Sequence, residues 1–147
     1  MFGVTSSGDN DDKYRCIYLW DNNLNMKKNL SLHLCEPNFC LVEGDVRSKG
    51  DVKRVLEDVD AVFHLAAIVS VDFSVKNPFL VDEVNVGGTL NVLRESVKAS
   101  VKRFAYASSC AVYGEPVRLP INEDHPTKPL SPYGVSKLAA EHYEVTE

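Results

Sequence analysis

Apolar residues fall into short runs separated by stretches with helical spacing. Cys16 to Trp20 reads Cys-Ile-Tyr-Leu-Trp, a continuous apolar run ending at Asp21. Such a run fits a strand buried on both faces. Asn22 to Asn29 is polar and loop-like. Phe39 to Val42 is a second short strand, followed by Glu43, Gly44 and Asp45. From Asp51 to Asp58 and just beyond, Val52, Val55, Leu56 and Val59 recur at helical intervals. Ala61 to Leu65 is a third strand, running into the small pair Ala66 and Ala67. A long helix is predicted over about residues 78–98, with Leu80, Val81, Val84, Leu90, Val92, Leu93 and Val97 among its apolar positions. Pro78 suits its first turn, where a missing N–H costs nothing. Arg103 to Ala107 is a fourth strand that enters Ser108, Ser109 and Cys110. Residues 114–131 are rich in proline and polar groups and should form a loop. A last helix starts near Ser131 or Pro132 and runs toward the end of the chain.

Strands that alternate with helices predict βαβ units and a parallel sheet. The expected fold is α/β: a doubly wound, Rossmann-like parallel sheet with strands at about 16–20, 39–43, 61–65 and 103–107. Such folds bind ligands at the carboxyl ends of their strands, where the strand order reverses. A length of 147 residues suits one domain.

Composition narrows the partners. A net charge of −5 leaves no basic footprint for nucleic acid. No apolar run reaches the length that spans a bilayer, and Met1 to Asp12 is polar and acidic, unlike a signal peptide. The expected home is the cytoplasm. His33, Cys35 and Cys40 lie close in sequence, but a zinc site wants two spaced ligand pairs and no second pair exists. Free thiols are expected, with no metal. Asp9, Asp11 and Asp12 lack the glycine and distal glutamate of a calcium loop.

Tyr133 and Lys137 stand four apart on the last predicted helix and so share a face. A lysine cation favours the phenolate form of a nearby tyrosine. The pair can then pass a proton to or from a hydroxyl or carbonyl; a surface helix pair is the plainer alternative. Ser109 follows a buried strand, where its hydroxyl can face a ligand crevice or simply shape a turn. Asp21 and Asp45 also end strands. Asp21 can accept bonds from both ribose hydroxyls of an adenosine, or close an Asp-Asn-Asn turn. Asp45 is a second such candidate, or a cap for the helix that follows. His64, inside an apolar strand, reads as a hydrogen-bonded core residue. Asn85 and Thr89 read as packing or helix-bonding groups.

Five stretches carry a resemblance: Val42 to Val46 (Val-Glu-Gly-Asp-Val), Asp60 to Ala67 (Asp-Ala-Val-Phe-His-Leu-Ala-Ala), Asn85 to Leu90 (Asn-Val-Gly-Gly-Thr-Leu), Ala107 to Gly114 (Ala-Ser-Ser-Cys-Ala-Val-Tyr-Gly) and Ser131 to Lys137 (Ser-Pro-Tyr-Gly-Val-Ser-Lys). In this order and spacing the chain resembles the extended short-chain dehydrogenase family (NAD-dependent epimerase/dehydratase), most of all its UDP-sugar 4-epimerases. The resemblance implies NAD as cofactor, a UDP-sugar as substrate, and a homodimer in the full-length family. It makes Tyr133 the acid/base. Lys137 becomes the ligand of the nicotinamide ribose, and Ser109 the hydroxyl partner. Asp21 would hold the adenosine ribose, Asp45 and Val46 the adenine edge, and Ala66 and Ala67 would line the dinucleotide path. Cys110 and Ala111 stand where 4,6-dehydratases of this family carry an Asp-Glu pair and decarboxylating members carry a carboxylate.

The family opens with a strand, a Gly-x-x-Gly-x-x-Gly turn and a helix whose N-terminus holds the pyrophosphate. Here Phe2 to Gly8 carries only Gly3 and Gly8, and the ten residues from Ser6 to Arg15 are polar. Residues 1–15 therefore read as a degenerate first βα unit and 16–147 as a partial NAD-binding domain, truncated, without a complete substrate domain. Another NAD-dependent dehydrogenase or reductase, or a non-catalytic remnant, remain the alternative readings.

Overall fold

The computed structural model describes residues 2–6, 13–19 and 39–144. Five strands form one sheet in the order β3-β2-β1-β4-β5. They are β1 (Phe2–Ser6), β2 (Lys13–Leu19), β3 (Phe39–Gly44), β4 (Ala61–His64) and β5 (Arg103–Tyr106). Among the described residues the helices are α1 (Lys49–Val55), α2 (Val71–Lys76), α3 (Pro78–Asp82), α4 (Gly88–Lys98) and α5 (Pro132–Glu144).

All four expected strands are present and run in one direction. β2 is parallel to β3 and β4 to β5, while β2 and β4 are each antiparallel to β1. This is the expected α/β, Rossmann-like architecture with one central departure: β1 occupies the middle of the sheet but runs backward. The cause is chain length. Ser6 pairs with Lys13, with six residues between the two strands, whereas a parallel crossover takes a dozen or more residues. The carboxyl ends of β2 to β5 therefore share one edge of the sheet. β1 brings its amino end to that edge, with Phe2 level with His64 and Ile17.

The core lies on one face. Val52, Val55, Leu56 and Val59 pack with Val46, Val62, Ala66, Val84 and Val92, and with partly buried Val42, Ile68, Val101 and Phe104. β4 alternates as a half-covered strand should. Val62 and His64 are buried, while Phe63 is 50% exposed. Among the described residues the helices pack on the Val62 side, so the second layer of a doubly wound sheet is not seen.

Three local features differ from the sequence reading. α1 begins at Lys49 because Ser48 caps it: the Asp51 amide donates to Ser48 Oγ at 3.3 Å. Asp45 is therefore not the cap. α2 was not expected, since Val71, Phe73 and Val75 alternate with period two and remain exposed. The serine cap is again decisive, with the Phe73 amide donating to Ser70 Oγ at 3.2 Å. Finally, the long 78–98 helix is continuous but contains a π-helical turn over Glu83–Gly87, in which the Gly88 amide reaches back to the Glu83 carbonyl. Single π turns inside α-helices recur at functional sites.

Candidate active site at the carboxyl ends of the strands

The π turn lies against the loop that follows β4. Asn85, 1% exposed, uses its whole amide there. Its Oδ1 accepts from the Ile68 amide at 2.7 Å. Its Nδ2 donates to the Ile68 carbonyl at 3.1 Å and to Ser136 Oγ at 3.0 Å. Ser136 in turn donates to the Tyr133 carbonyl at 2.8 Å. The loop after β4 is thus tied to the helix that carries Tyr133 and Lys137. One turn on, the Thr89 hydroxyl donates to the Asn85 carbonyl at 2.5 Å. With its single proton committed, it must accept from His64 Nε2, 2.8 Å away. His64 is fully buried. Burial first, then the nearby Lys137 cation, pushes it down to about 3 from an ordinary 6.5. It is a neutral, hydrogen-bonded core histidine, and Asn85 and Thr89 are bonding groups, as the sequence suggests.

Two close backbone approaches bring the strand-end serine to the helix. Ser109 leads a 3₁₀ turn over Cys110–Val112, its Oγ accepting from the Ala111 amide at 3.2 Å. The first turn of α5 lies against this turn. A Cβ added at Gly134 would stand 2.6 Å from the Ala111 carbonyl oxygen, so only glycine fits. Gly114, at φ +67, packs as closely on the Lys128 carbonyl. Ser109 is therefore next to the segment bearing Tyr133, which is 8% exposed, and Lys137, which is 3% exposed. The Lys137 ammonium sits 4.1 Å from the centre of the Tyr106 ring. Tyr106 was not singled out from sequence. Its only signal is its place at the end of β5, in step with inward-facing Phe104.

The other predicted residues occupy the same edge. Ala66 is buried and Ala67 half-buried just past β4. Val46, fully buried, presses on α4 at Gly88, where a Cβ would be 2.5 Å from its Cγ2. Asn91 Nδ2 holds the Val46 and Arg47 carbonyls at 3.2 and 2.9 Å. Asp45 is half-exposed and forked by Arg47, Nη2 to Oδ2 at 2.6 Å and Nε to both oxygens. These bonds hold its carboxyl below the usual range against the opposing effect of desolvation, and they raise Arg47. Arg47 also reaches Glu83 at 3.5 Å. Asp21 lies outside the described residues, as do His33 and Cys35. Cys40 and Cys110 are exposed free thiols. Among the described residues no cluster of His, Cys, Asp or Glu could hold a metal ion, and no helix is long and apolar enough to cross a membrane.

Gly3 does not join the crevice as part of a phosphate-binding turn. It lies within β1, paired with Cys16 and Phe63. The carboxyl end of β1 is at the opposite edge of the sheet.

Comparison with known proteins gives this geometry a lineage. The model of the family described as GDP-mannose 4,6 dehydratase matches residues 11–146. A Methanocaldococcus jannaschii protein named as a candidate UDP-glucose 4-epimerase is 45% identical over 109 residues, 73% of this chain and 36% of its own length. Among solved structures, the UDP-N-acetylglucosamine 4-epimerase of Methanobrevibacter ruminantium in complex with UDP-N-acetylmuramic acid superposes with TM-score 0.80 at 30% identity. It covers 88% of this chain and 41% of that one. The dTDP-glucose 4,6-dehydratase of Streptomyces venezuelae, solved with NAD bound, gives 0.76 at 35% identity over 79% and 36%. The chain spans about a third of the length of the curated relative it matches. It belongs to the NAD-dependent epimerase/dehydratase family of extended short-chain dehydrogenases.

Proposed function

We propose that this chain is the nicotinamide-binding part of an NAD-dependent UDP-sugar 4-epimerase. The observation that supports this reading is the seating of α5, which carries buried Tyr133 and Lys137, on the turn that follows Ser109, through the close approach of Gly134 to the Ala111 carbonyl. Small Ala66 and Ala67 suit a dinucleotide path, and an ionised Asp45 suits the adenine amine. When bound, NAD supplies the hydride acceptor and donor at the sugar C4. Tyr133 takes the proton of the sugar 4-hydroxyl and returns it. Ser109 hydrogen-bonds the same oxygen. Lys137 holds the nicotinamide ribose and keeps a cation one helical turn from the Tyr133 phenol.

Epimerisation is favoured over dehydration by Cys110 and Ala111. Neither side chain offers the carboxylic acid that loss of water calls for at that place. The 4-epimerases among the similar proteins support the same choice. Asp21, by its place in the sequence, would meet the adenosine ribose and repel a 2′-phosphate, favouring NAD over NADP.

The reversed β1 fits this cofactor poorly at one point. β1 directs its carboxyl end away from the edge shared by the carboxyl ends of the other strands, and among the described residues no glycine turn offers the pyrophosphate the close backbone approach that the family uses. Affinity for NAD should be weak. Calorimetric titration of the 147-residue chain should show weak binding that prefers NAD to NADP and is lost in Lys137→Met. Absence of binding at millimolar NAD would overturn the reading. In a coupled assay with UDP-glucose and UDP-galactose, turnover should be close to background. Any conversion should disappear in Tyr133→Phe, and conversion that survives that change refutes Tyr133 as the acid/base.

A further inference from the structure

We propose that Tyr106 is a positioning residue: its ring face is the seat that holds the Lys137 ammonium in place at the nicotinamide end of the crevice. The inference rests on the reading of Lys137 as ribose ligand. Lys137 is 3% exposed, and an ammonium taken that far out of water needs compensation. Its Nζ stands 4.1 Å from the Tyr106 ring centre, well inside the roughly 6 Å over which a π face attracts a cation. The seat is itself fixed. Tyr106 closes β5, paired in register with His64 of β4, and the two rings lie 5.8 Å apart. His64 is anchored in turn by Thr89 at 2.8 Å.

The choice of an aromatic seat has a chemical consequence. A π face stabilises an ammonium without placing a formal negative charge against it. Tyr106 acts on Lys137 through its ring face, so a phenylalanine should serve as well as the tyrosine.

The test reads the seat without any cofactor and then reads its effect on one. In the full chain labelled with 13Cε-lysine, the Lys137 methylene protons, assigned by their loss in Lys137→Met, should resonate upfield of the surface lysines because of the ring current. Tyr106→Phe should keep that shift and Tyr106→Leu should abolish it. No upfield lysine in the wild-type chain, or one that survives Tyr106→Leu, overturns the proposal; the wild-type spectrum decides the first of these even if the leucine variant fails to fold. In NAD titrations, Tyr106→Leu should weaken binding about 3- to 30-fold, the range expected for a desolvated cation–π contact. Tyr106→Phe should not, and the leucine effect should vanish in a Lys137→Met background. An unchanged affinity in Tyr106→Leu, with the upfield shift lost, overturns the positioning role. If the wild-type chain binds no NAD, the functional reading fails, while the lysine spectrum still decides the seat.

Discussion

His64 should make this protein lose stability as the medium turns mildly acid, over a window that its burial defines. The ring is fully buried, bonded through Nε2 to Thr89, and pushed from 6.5 down to about 3 by burial and by the Lys137 cation. In the unfolded chain the same imidazole takes up a proton near its ordinary value. Between about pH 6.5 and 3 the unfolded state therefore binds more protons than the folded one, and stability falls as the pH is lowered. The contribution is fully present above pH 6.5. At about 1.36 kcal/mol per pH unit, the slope delivers roughly 2 kcal/mol by pH 5, and on the order of 5 kcal/mol over the whole window. Against a typical total of about 5–15 kcal/mol that is a large share. Urea unfolding followed by circular dichroism at pH 7.5, 6 and 5 measures it, with His64→Gln as the comparison. Glutamine can still donate to Thr89 but does not titrate, and every other ionisable group is common to both chains. The variant should be the less stable at pH 7.5, yet its loss from pH 7.5 to 5 should be smaller by about 2 kcal/mol. Parallel losses in the two chains would refute the reasoning, since His64 would then not differ between folded and unfolded states.

Asn85→Ala removes three side-chain hydrogen bonds at a site 1% exposed and strands buried polar partners, each at about 1–3 kcal/mol. A loss of about 3 kcal/mol or more is expected in the same urea assay, and a loss under about 1 kcal/mol would mean that the bridge from Ile68 to Ser136 is not formed. Gly134→Ala places a Cβ 2.6 Å from the Ala111 carbonyl, so backbone must give way at about 1–3 kcal/mol. Amide spectra should show the disturbance concentrated in residues 109–114 and 131–137, and an undisturbed Ser109 turn would contradict the close approach.

The parts of the site legible in the sequence are those that depend on local spacing. Tyr133 and Lys137 share a helix face by arithmetic, and Ser109 follows an apolar run, so both features survive any detail of packing. His64 was legible because a histidine amid Val62 and Phe63 has few options other than a bonded core position. What the sequence did not disclose depends on contacts between distant segments. Tyr106 becomes informative only once α5 lays Lys137 across β5. The bridge from Asn85 to Ser136 needs the π turn, which no periodicity announces. The direction of β1 was half visible, because the ten residues from Ser6 to Arg15 are barely enough for a crossover. Once β1 extends to Ser6 and β2 begins at Lys13, the remaining span is too short, and antiparallel pairing is the solution left.

The two ends of the crevice are built on different physics. At the Asp45 end, an ion pair in which Arg47 and Asp45 are about a third exposed is extended to Glu83. Its energy is modest and is screened by salt. Geometry there comes from uncharged contacts beneath it: Asn91 on two carbonyls, Gly88 against Val46. At the Tyr133 end the groups are buried, and an amide, two hydroxyls, a neutral imidazole and an aromatic ring hold them. Asn85, Ser136, Thr89, His64 and Tyr106 fix position by hydrogen bonds and ring contacts without adding charge of their own, which is what the proposed proton transfer asks of its walls.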